Sequence, residues 1–256
     1  PLFSRQVFPY LQKLQPEIIV SQMVKICGYG ESQVEDKLLD LIDAQTNPTI
    51  APYAKTGEVH LRVTASAENE KACKKLIKPV VKELKKRFGE NIFATDESKT
   101  LEEAVIDLLK EKDLKLSLAE SLTGGMIAQR IVNVSGASDV FGYGFVTYSN
   151  KAKHKCLGVK KSTLKEKGAV SAKCAREMAK GACKESGADI SISVTGLAGP
   201  GGGTKETPVG TVFMGCCYKG KAIAKEFHFT GNRMRIREQT TAHALAMLRD
   251  CIIMSR

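Results

Sequence analysis

The sequence has no tryptophan, and aromatic residues make up only 6% of it. Its 39 Lys and Arg against 28 Asp and Glu leave a net charge of +11, a balance that favours anionic partners such as phosphates, nucleotides or nucleic acid. The lysines are dispersed, however, as in Lys74-Lys75, Lys85-Lys86-Arg87 and Lys160-Lys161. With no aromatic residues interleaved to stack bases, they read as solvated helix faces, and a nucleic-acid partner is not expected. No stretch of about 18 apolar residues occurs, so no membrane-spanning helix is expected. Residues 1–30 lack a basic start, an apolar stretch and a small-residue cleavage site, so a cytoplasmic location is expected. The first residue is proline, not methionine, so a fragment or a processed form of a longer protein is expected.

The eight cysteines include no C-x-x-C pair. Cys27, Cys73, Cys156, Cys174, Cys183 and Cys251 stand singly and Cys216-Cys217 are adjacent. That spacing argues against structural zinc and for reduced core thiols. The four histidines, His60, His154, His228 and His243, sit in unlike contexts, so no metal site and no cofactor is expected.

At 256 residues the chain is long enough for two domains. Val7, Leu11 and Leu14 share the face of a helix that Pro16 breaks, so residues 1–15 are expected to be the remnant helix of an absent upstream domain. Residues 16–97 read as a small α+β unit. Residues 18–26 alternate as a strand, and Ser32 with Glu35 forms a capping box for a helix bearing Val34, Leu38, Leu41 and Ile42. Strands at 49–53 and 58–65 flank the turn Lys55-Thr56-Gly57, a helix spans 67–88 with Leu76, Val80, Val81 and Leu84 inward, and a short strand covers 91–94. The order β-α-β-β-α-β is close to the ferredoxin-like pattern.

Asp96-Glu97-Ser98-Lys99 is a polar break. Thr100 and Glu103 then form a second capping box, opening a helix with Leu101, Val105, Leu108 and Leu109 on one face. Strands at 115–119, 141–148, 190–195, 210–217 and 222–229 alternate with helices at 124–134, 171–186 and 233–254. Residues 98–256 are therefore expected to form an α/β unit, a three-layer α/β/α sandwich.

Four segments can carry chemistry. In Ala119-Glu120-Ser121-Leu122-Thr123-Gly124-Gly125 an apolar strand enters a hydroxyl- and glycine-rich turn that opens a helix, whose first amides can hold an anion. Ser121 and Thr123 are each candidate nucleophiles there, or merely helix caps. Near the end of the next strand, in Thr147-Tyr148-Ser149-Asn150-Lys151-Ala152-Lys153, a partly desolvated lysine can serve as a base toward a serine, although a solvated Lys153 is the commoner case. Thr195-Gly196-Leu197-Ala198-Gly199-Pro200-Gly201-Gly202-Gly203 offers bare backbone to a ligand and is not a Walker A loop. Arg233 and Arg237 share one face at the start of the last helix, where cations oppose the helix dipole and an anionic ligand would explain them.

Together with Gly168-Ala169-Val170-Ser171 and Pro208-Val209-Gly210-Thr211-Val212, these segments resemble the C-terminal domain of the CinA family, the PncC-type nicotinamide-mononucleotide amidases, over about residues 100–253. Residues 1–95 resemble the middle of full-length CinA proteins, with a KH-like unit but no G-x-x-G loop to clamp RNA. The family's molybdopterin-binding-like domain is missing from the sequence. Leu122 stands where the family usually has cysteine, which leaves serine or threonine chemistry, and Asn232 stands where it usually has aspartate.

The resemblance implies deamidation of nicotinamide mononucleotide to the nicotinate form and ammonia. Ser121 would attack, with Thr123 as the alternative. Lys153 would be the base and Tyr148 would relay or orient the proton. Amides of Thr123, Gly124 and Gly125 would hold the oxyanion. Thr195, Gly196, Gly199, Gly201, Gly202, Arg233 and Arg237 would bind the substrate, the glycine loop and arginines taking its phosphate. The expected assembly is a homo-oligomer, a dimer. The rival reading is a nucleotide-binding adaptor without catalysis.

Overall fold

The computed structural model describes residues 2–14 and 17–254. It divides into two compact units, with the division between Lys99 and Thr100. The first unit opens with a π-helical turn, Phe3–Val7, that runs into α1 (Phe8–Leu14). Val7 and Leu11 are exposed there, and the expected helix breaker Pro16 lies outside the described residues.

The strands β1 (Ile18–Cys27), β2 (Thr49–Lys55), β3 (Glu58–Ala67) and β4 (Ile92–Ala94) form one antiparallel sheet. Between them lie α2 (Glu31–Asp36), α3 (Leu39–Asp43) and α4 (Glu70–Phe88). The sheet order is β2-β3-β1-β4, the ferredoxin-like arrangement. Val24, Ile26, Leu61 and Val63 of the strands pack with Ile77, Val81, Leu84 and Phe88 of α4 in its core.

Three local expectations are corrected. Ser32 does not cap α2; Gly30 is its N-cap, and its amide donates to Gln33 Oε1 at 2.9 Å. The single helix expected to carry Val34 through Ile42 is two short ones, with Val34 and Leu38 buried. The long helix starts at Glu70, because Asn69 Oδ1 accepts from Ala72 N at 2.9 Å and so caps it. Its inward stripe is Cys73, Ile77, Val81, Leu84 and Phe88, which turns Leu76 out to solvent. Lys25 is buried and donates to the carbonyls of Glu97 and Lys99 at 2.6 and 2.8 Å, which folds the polar break back on β1.

The second unit opens on the expected cap. Glu103 N donates to Thr100 Oγ1 at 3.3 Å and Thr100 N to Glu103 Oε2 at 2.7 Å, starting α5 (Leu101–Glu111). Then follow β5 (Leu116–Glu120), α6 (Met126–Val132), β6 (Phe141–Val146), α7 (Asn150–Leu157), α8 (Lys161–Glu166), α9 (Ala172–Ser186), β7 (Ile190–Gly196), β8 (Thr211–Tyr218), β9 (Lys221–His228) and α10 (Arg233–Met254). Helix α8 was not expected, since its Lys-rich sequence buries only Thr163.

The sheet order is β6-β5-β7-β8-β9. β6, β5 and β7 run parallel, β8 pairs antiparallel to β7, and β9 pairs antiparallel to β8. β5 is buried throughout, as is β7 up to its last residue, and the buried Ser191 and Ser193 of β7 donate to Ala179 O and Ala175 O of α9 at 2.7 and 2.6 Å. Helices α7, α8 and α9 lie on one side of the sheet and α5, α6 and α10 on the other, a three-layer sandwich. The chain leaves β6 at one edge and re-enters at β7 across β5, so the carboxyl ends of these three parallel strands diverge into a crevice, the usual ligand position in such sheets.

Helices α7 and α9 pack closely at Gly181, where an added Cβ would lie 1.9 Å from the Leu157 carbonyl oxygen. Gly181→Ala is therefore expected to lower stability by about 2 kcal/mol or more through overpacking. A urea midpoint unchanged from the parent would contradict this packing.

Candidate active site

The crevice is a cleft of about 310 Å³ lined by residues that include Ser121, Leu122, Tyr148, Asn150, Lys153, Thr195, Gly199 and Arg233. They come from the end of β7, from the turns that follow β5, β6 and β7, and from the starts of α7 and α10. Ser121 follows β5, and its amide donates to Val194 O of β7 at 3.1 Å. β6 ends two residues earlier than expected. The carbonyls of Thr147 and Tyr148 are thereby released from the ladder and turn toward the first turn of α7, which Ser149 Oγ caps by accepting from Ala152 N at 3.1 Å.

Lys153 projects from that turn and is 1% exposed. Its Nζ lies 2.9 Å from Ser121 Oγ, 2.8 Å from Thr147 O and 3.4 Å from Tyr148 O. Burial lowers its pKa below the ordinary 10.5, with the nearby Cys174 sulfur acting in the opposite direction. Burial also pushes the Cys174 thiol up to about 11, so it brings no negative charge to the lysine near neutrality. A neutral amine has two N–H donors and one lone pair. Two carbonyls can take the donors, which leaves the lone pair for the Ser121 hydroxyl proton. A charged amine would donate to all three oxygens. Both protonation states are therefore satisfied without rearrangement.

The two hydroxyls differ in position. Ser121 lines the cleft. Thr123 is fully buried, its Oγ1 has no partner among the described residues, and it lies outside the lining. Neither caps α6, whose N-cap is Gly125 at φ 103°.

Of the three amides expected to hold an anion, those of Gly124 and Gly125 are already occupied. The buried Glu120 carboxylate accepts from Gly125 N at 2.9 Å, Ala128 N at 2.9 Å and Ile127 N at 3.2 Å. Gly124 N donates to Ser121 O at 3.2 Å, closing a turn. Gly124 and Gly125 thus shape the turn, and the first amides of α6 face a carboxylate of the chain itself. The amides of Leu122, next after Ser121, and of Thr123 have no intrachain acceptor among the described residues.

Arg233 and Arg237 part ways. Arg233 lines the cleft, donating to Gly199 O at 2.7 Å and to Tyr148 Oη at 3.1 Å. Arg237 lies outside the lining and donates to Leu122 O at 2.9 Å and Thr123 O at 2.8 Å. Tyr148 meets Lys153 through its carbonyl, while its exposed ring and hydroxyl pair with Arg233, so the hydroxyl is not placed as a relay to Lys153. Thr195, Gly196, Gly199 and Gly201 line the cleft and Gly202 does not. Thr195 Oγ1 donates to Ala169 O at 2.8 Å. At Gly199, φ is 71° and a Cβ would lie 2.5 Å from Val209 Cγ1, so the loop needs glycine there. The amides of Ala198, Gly199 and Gly201 have no intrachain acceptor among the described residues. Sequence reasoning assigned no role to Glu120, although an acid just before a helix start is the available signal.

The histidines stay out of the cleft: His60 pairs with Glu58, His228 with Glu226, His154 with Val159 O and His243 with Gln239 O. All eight cysteines are free thiols, and Cys156 is exposed. Among the described residues no cluster of three metal-binding side chains occurs, and no helix is long and apolar enough to cross a membrane.

A serine with a buried lysine at the strand ends of a three-layer α/β unit, preceded in sequence by a ferredoxin-like unit, defines the class to which this protein compares. Residues 98–252 match the CinA C-terminal domain and residues 21–94 the KH domain of the damage-inducible protein CinA. The chain belongs to the CinA family. It is 50% identical over 249 residues to a competence-damage inducible protein of Clostridium perfringens, covering 97% of this chain and 60% of that one. It is 48% identical to a CinA-like protein of Dictyoglomus turgidum, again covering 97% and 60%. The chain thus spans about 60% of the length of these curated relatives. A CinA superfamily structure from Klebsiella pneumoniae is 34% identical with a TM-score of 0.58, covering 60% of this chain and 96% of that one. A competence/damage inducible protein structure from Agrobacterium tumefaciens is 42% identical with a TM-score of 0.57, covering 58% and 91%.

Glu120→Gln places an amide donor against backbone donors and removes a charge-assisted acceptor. It is expected to cost about 2 kcal/mol of stability, read from denaturant midpoints; an unchanged midpoint would mean that the carboxylate does not hold α6.

Proposed function

We propose that the second unit is an amidohydrolase that deamidates nicotinamide mononucleotide to nicotinate mononucleotide and ammonia. The observation that carries the chemistry is the 2.9 Å approach of Lys153 Nζ to Ser121 Oγ in a buried corner of an open cleft. The pyridine-nucleotide substrate is taken from the family resemblance.

Neutral Lys153 accepts the Ser121 proton as Oγ attacks the carboxamide carbon. The Leu122 amide is placed to donate to the oxygen that becomes negative, and one such donor typically lowers the barrier by about 3 kcal/mol. Collapse of the tetrahedral adduct breaks the C–N bond, and Lys153 returns its proton to the departing ammonia. Water then enters by the same route: Lys153 takes its proton, the water oxygen attacks the acyl carbon, and collapse releases the acid while Lys153 returns the proton to Ser121 Oγ. The reaction as written balances without metal or redox cofactor. Arg233 and the loop amides near Gly199 and Gly201 supply the cleft's positive lining, suited to the phosphate of the nucleotide.

Ser121→Ala should abolish ammonia release from nicotinamide mononucleotide while leaving nucleotide binding in place, measured by coupled ammonia assay and calorimetry. Normal turnover in that variant would remove Ser121 from the reaction.

Because burial lowers the Lys153 pKa, the neutral fraction grows as pH rises. The rate should therefore climb with pH and level off once the amine is deprotonated. Lys153→Met should lower kcat by about 100- to 10,000-fold and lose this climb. A flat profile for the parent protein between pH 6 and 9 would contradict a lysine base.

A further inference from the structure

Arg237 sits at the start of the second turn of α10, near the end where a helix dipole does not favour a positive charge. It is half-buried, and among the described residues it has no carboxylate partner. Its oxygen acceptors are the two carbonyls of the central turn residues, Leu122 and Thr123, between Ser121 O and Gly124 N. Its remaining polar contact is Met234 Sδ at 4.0 Å. A guanidinium presents its donors in a rigid plane, so bonding two successive carbonyls fixes the orientation of both peptide groups. One of them is the peptide that joins Leu122 to Thr123, immediately beyond the Leu122 amide proposed as the oxyanion donor.

We infer that Arg237 is a positioning residue for the reaction: it clamps the Ser121 turn from behind, keeping Ser121 Oγ on Lys153 and the Leu122 amide facing the cleft. This rests on the reading of Ser121 as nucleophile. The clamp acts on the reacting geometry and not on the bound phosphate. An uncompensated cation behind the turn also favours the negative charge that develops in front of it. Ser121 and Arg237 are brought together only by tertiary structure, since the turn follows β5 and the arginine begins the last helix.

The experiment compares the full chain with Arg237→Gln and Arg237→Lys. One readout is the labelling rate of Ser121 by a fluorophosphonate, which needs only an activated serine. The other is kcat and KM with nicotinamide mononucleotide, with thermal melting to follow folding. Arg237→Gln is expected to slow labelling by about 100-fold, the scale of a small misplacement of reacting groups. Its kcat should fall in parallel while KM stays near the parent value. Arg237→Lys, which keeps the charge without the fork, should fall between the two, and it decides the matter if the Gln variant does not fold. Labelling unchanged in a folded variant, a raised KM with kcat preserved, or an unlabelled Ser121 in the parent protein would overturn the inference. A parent protein that labels but releases no ammonia from nicotinamide mononucleotide would remove the proposed substrate, while the labelling rates would still decide the role of Arg237.

Discussion

The site depends on hiding an amine from water. Among the described residues Lys153 is the largest fully buried side chain, and an unpaired buried charge would cost several kcal/mol. Three oxygens make the position tenable, and three local events bring them and the amine together. The early end of β6 releases the Thr147 and Tyr148 carbonyls, the Ser149 cap aims the first turn of α7 inward, and the turn after β5 brings the Ser121 hydroxyl. Parallel pairing of β5 with β6, from Leu116 opposite Phe141 to Glu120 opposite Val146, sets the two strand ends level. A slip in that register would separate serine from lysine.

Two other charges around the Ser121 turn are committed to the scaffold. Glu120 fills the amide cluster at the start of α6, and Arg237 fills the carbonyls on the back of the turn. The turn is thereby held on its acceptor side by a cation, while an anion holds the helix that follows. Arg233 and the unspent loop amides remain on the cleft side. The side chains that hold the turn and those that face a ligand are thus different groups, even where they are neighbours in sequence.

Much of the scaffold was legible from periodicity and caps. The Thr100–Glu103 box is an interaction between residues three apart, so the sequence displays both partners, and the βαββαβ order follows from apolar alternation. Errors arose where two frames were nearly equal. In α4 the stripe through Cys73 and Ile77 displaced the expected Leu76 because Asn69 starts the helix. At α2 the Gln33 side chain, bonded to Gly30, replaced the Ser32 box. Within the site, Ser121 and Lys153 could be nominated from their positions at strand ends, but their contact required the sheet order. The division of labour between Arg233 and Arg237 was invisible, because the oxygens that Arg237 holds lie more than a hundred residues away in sequence.

The central claim is that Lys153 is an amine poised to accept a proton from Ser121. It is tested most directly by titrating that one side chain. Lysine labelled with 13C at Cε and followed by NMR against pH, with the Lys153 signal assigned by its loss in Lys153→Arg, reads its protonation state without a substrate. The account predicts a midpoint below the ordinary value of 10.5 and a smaller depression in a Lys153 made more accessible to water. A Lys153 that titrates at or above 10.5 would be a structural cation, and the proposed base would have to be sought elsewhere.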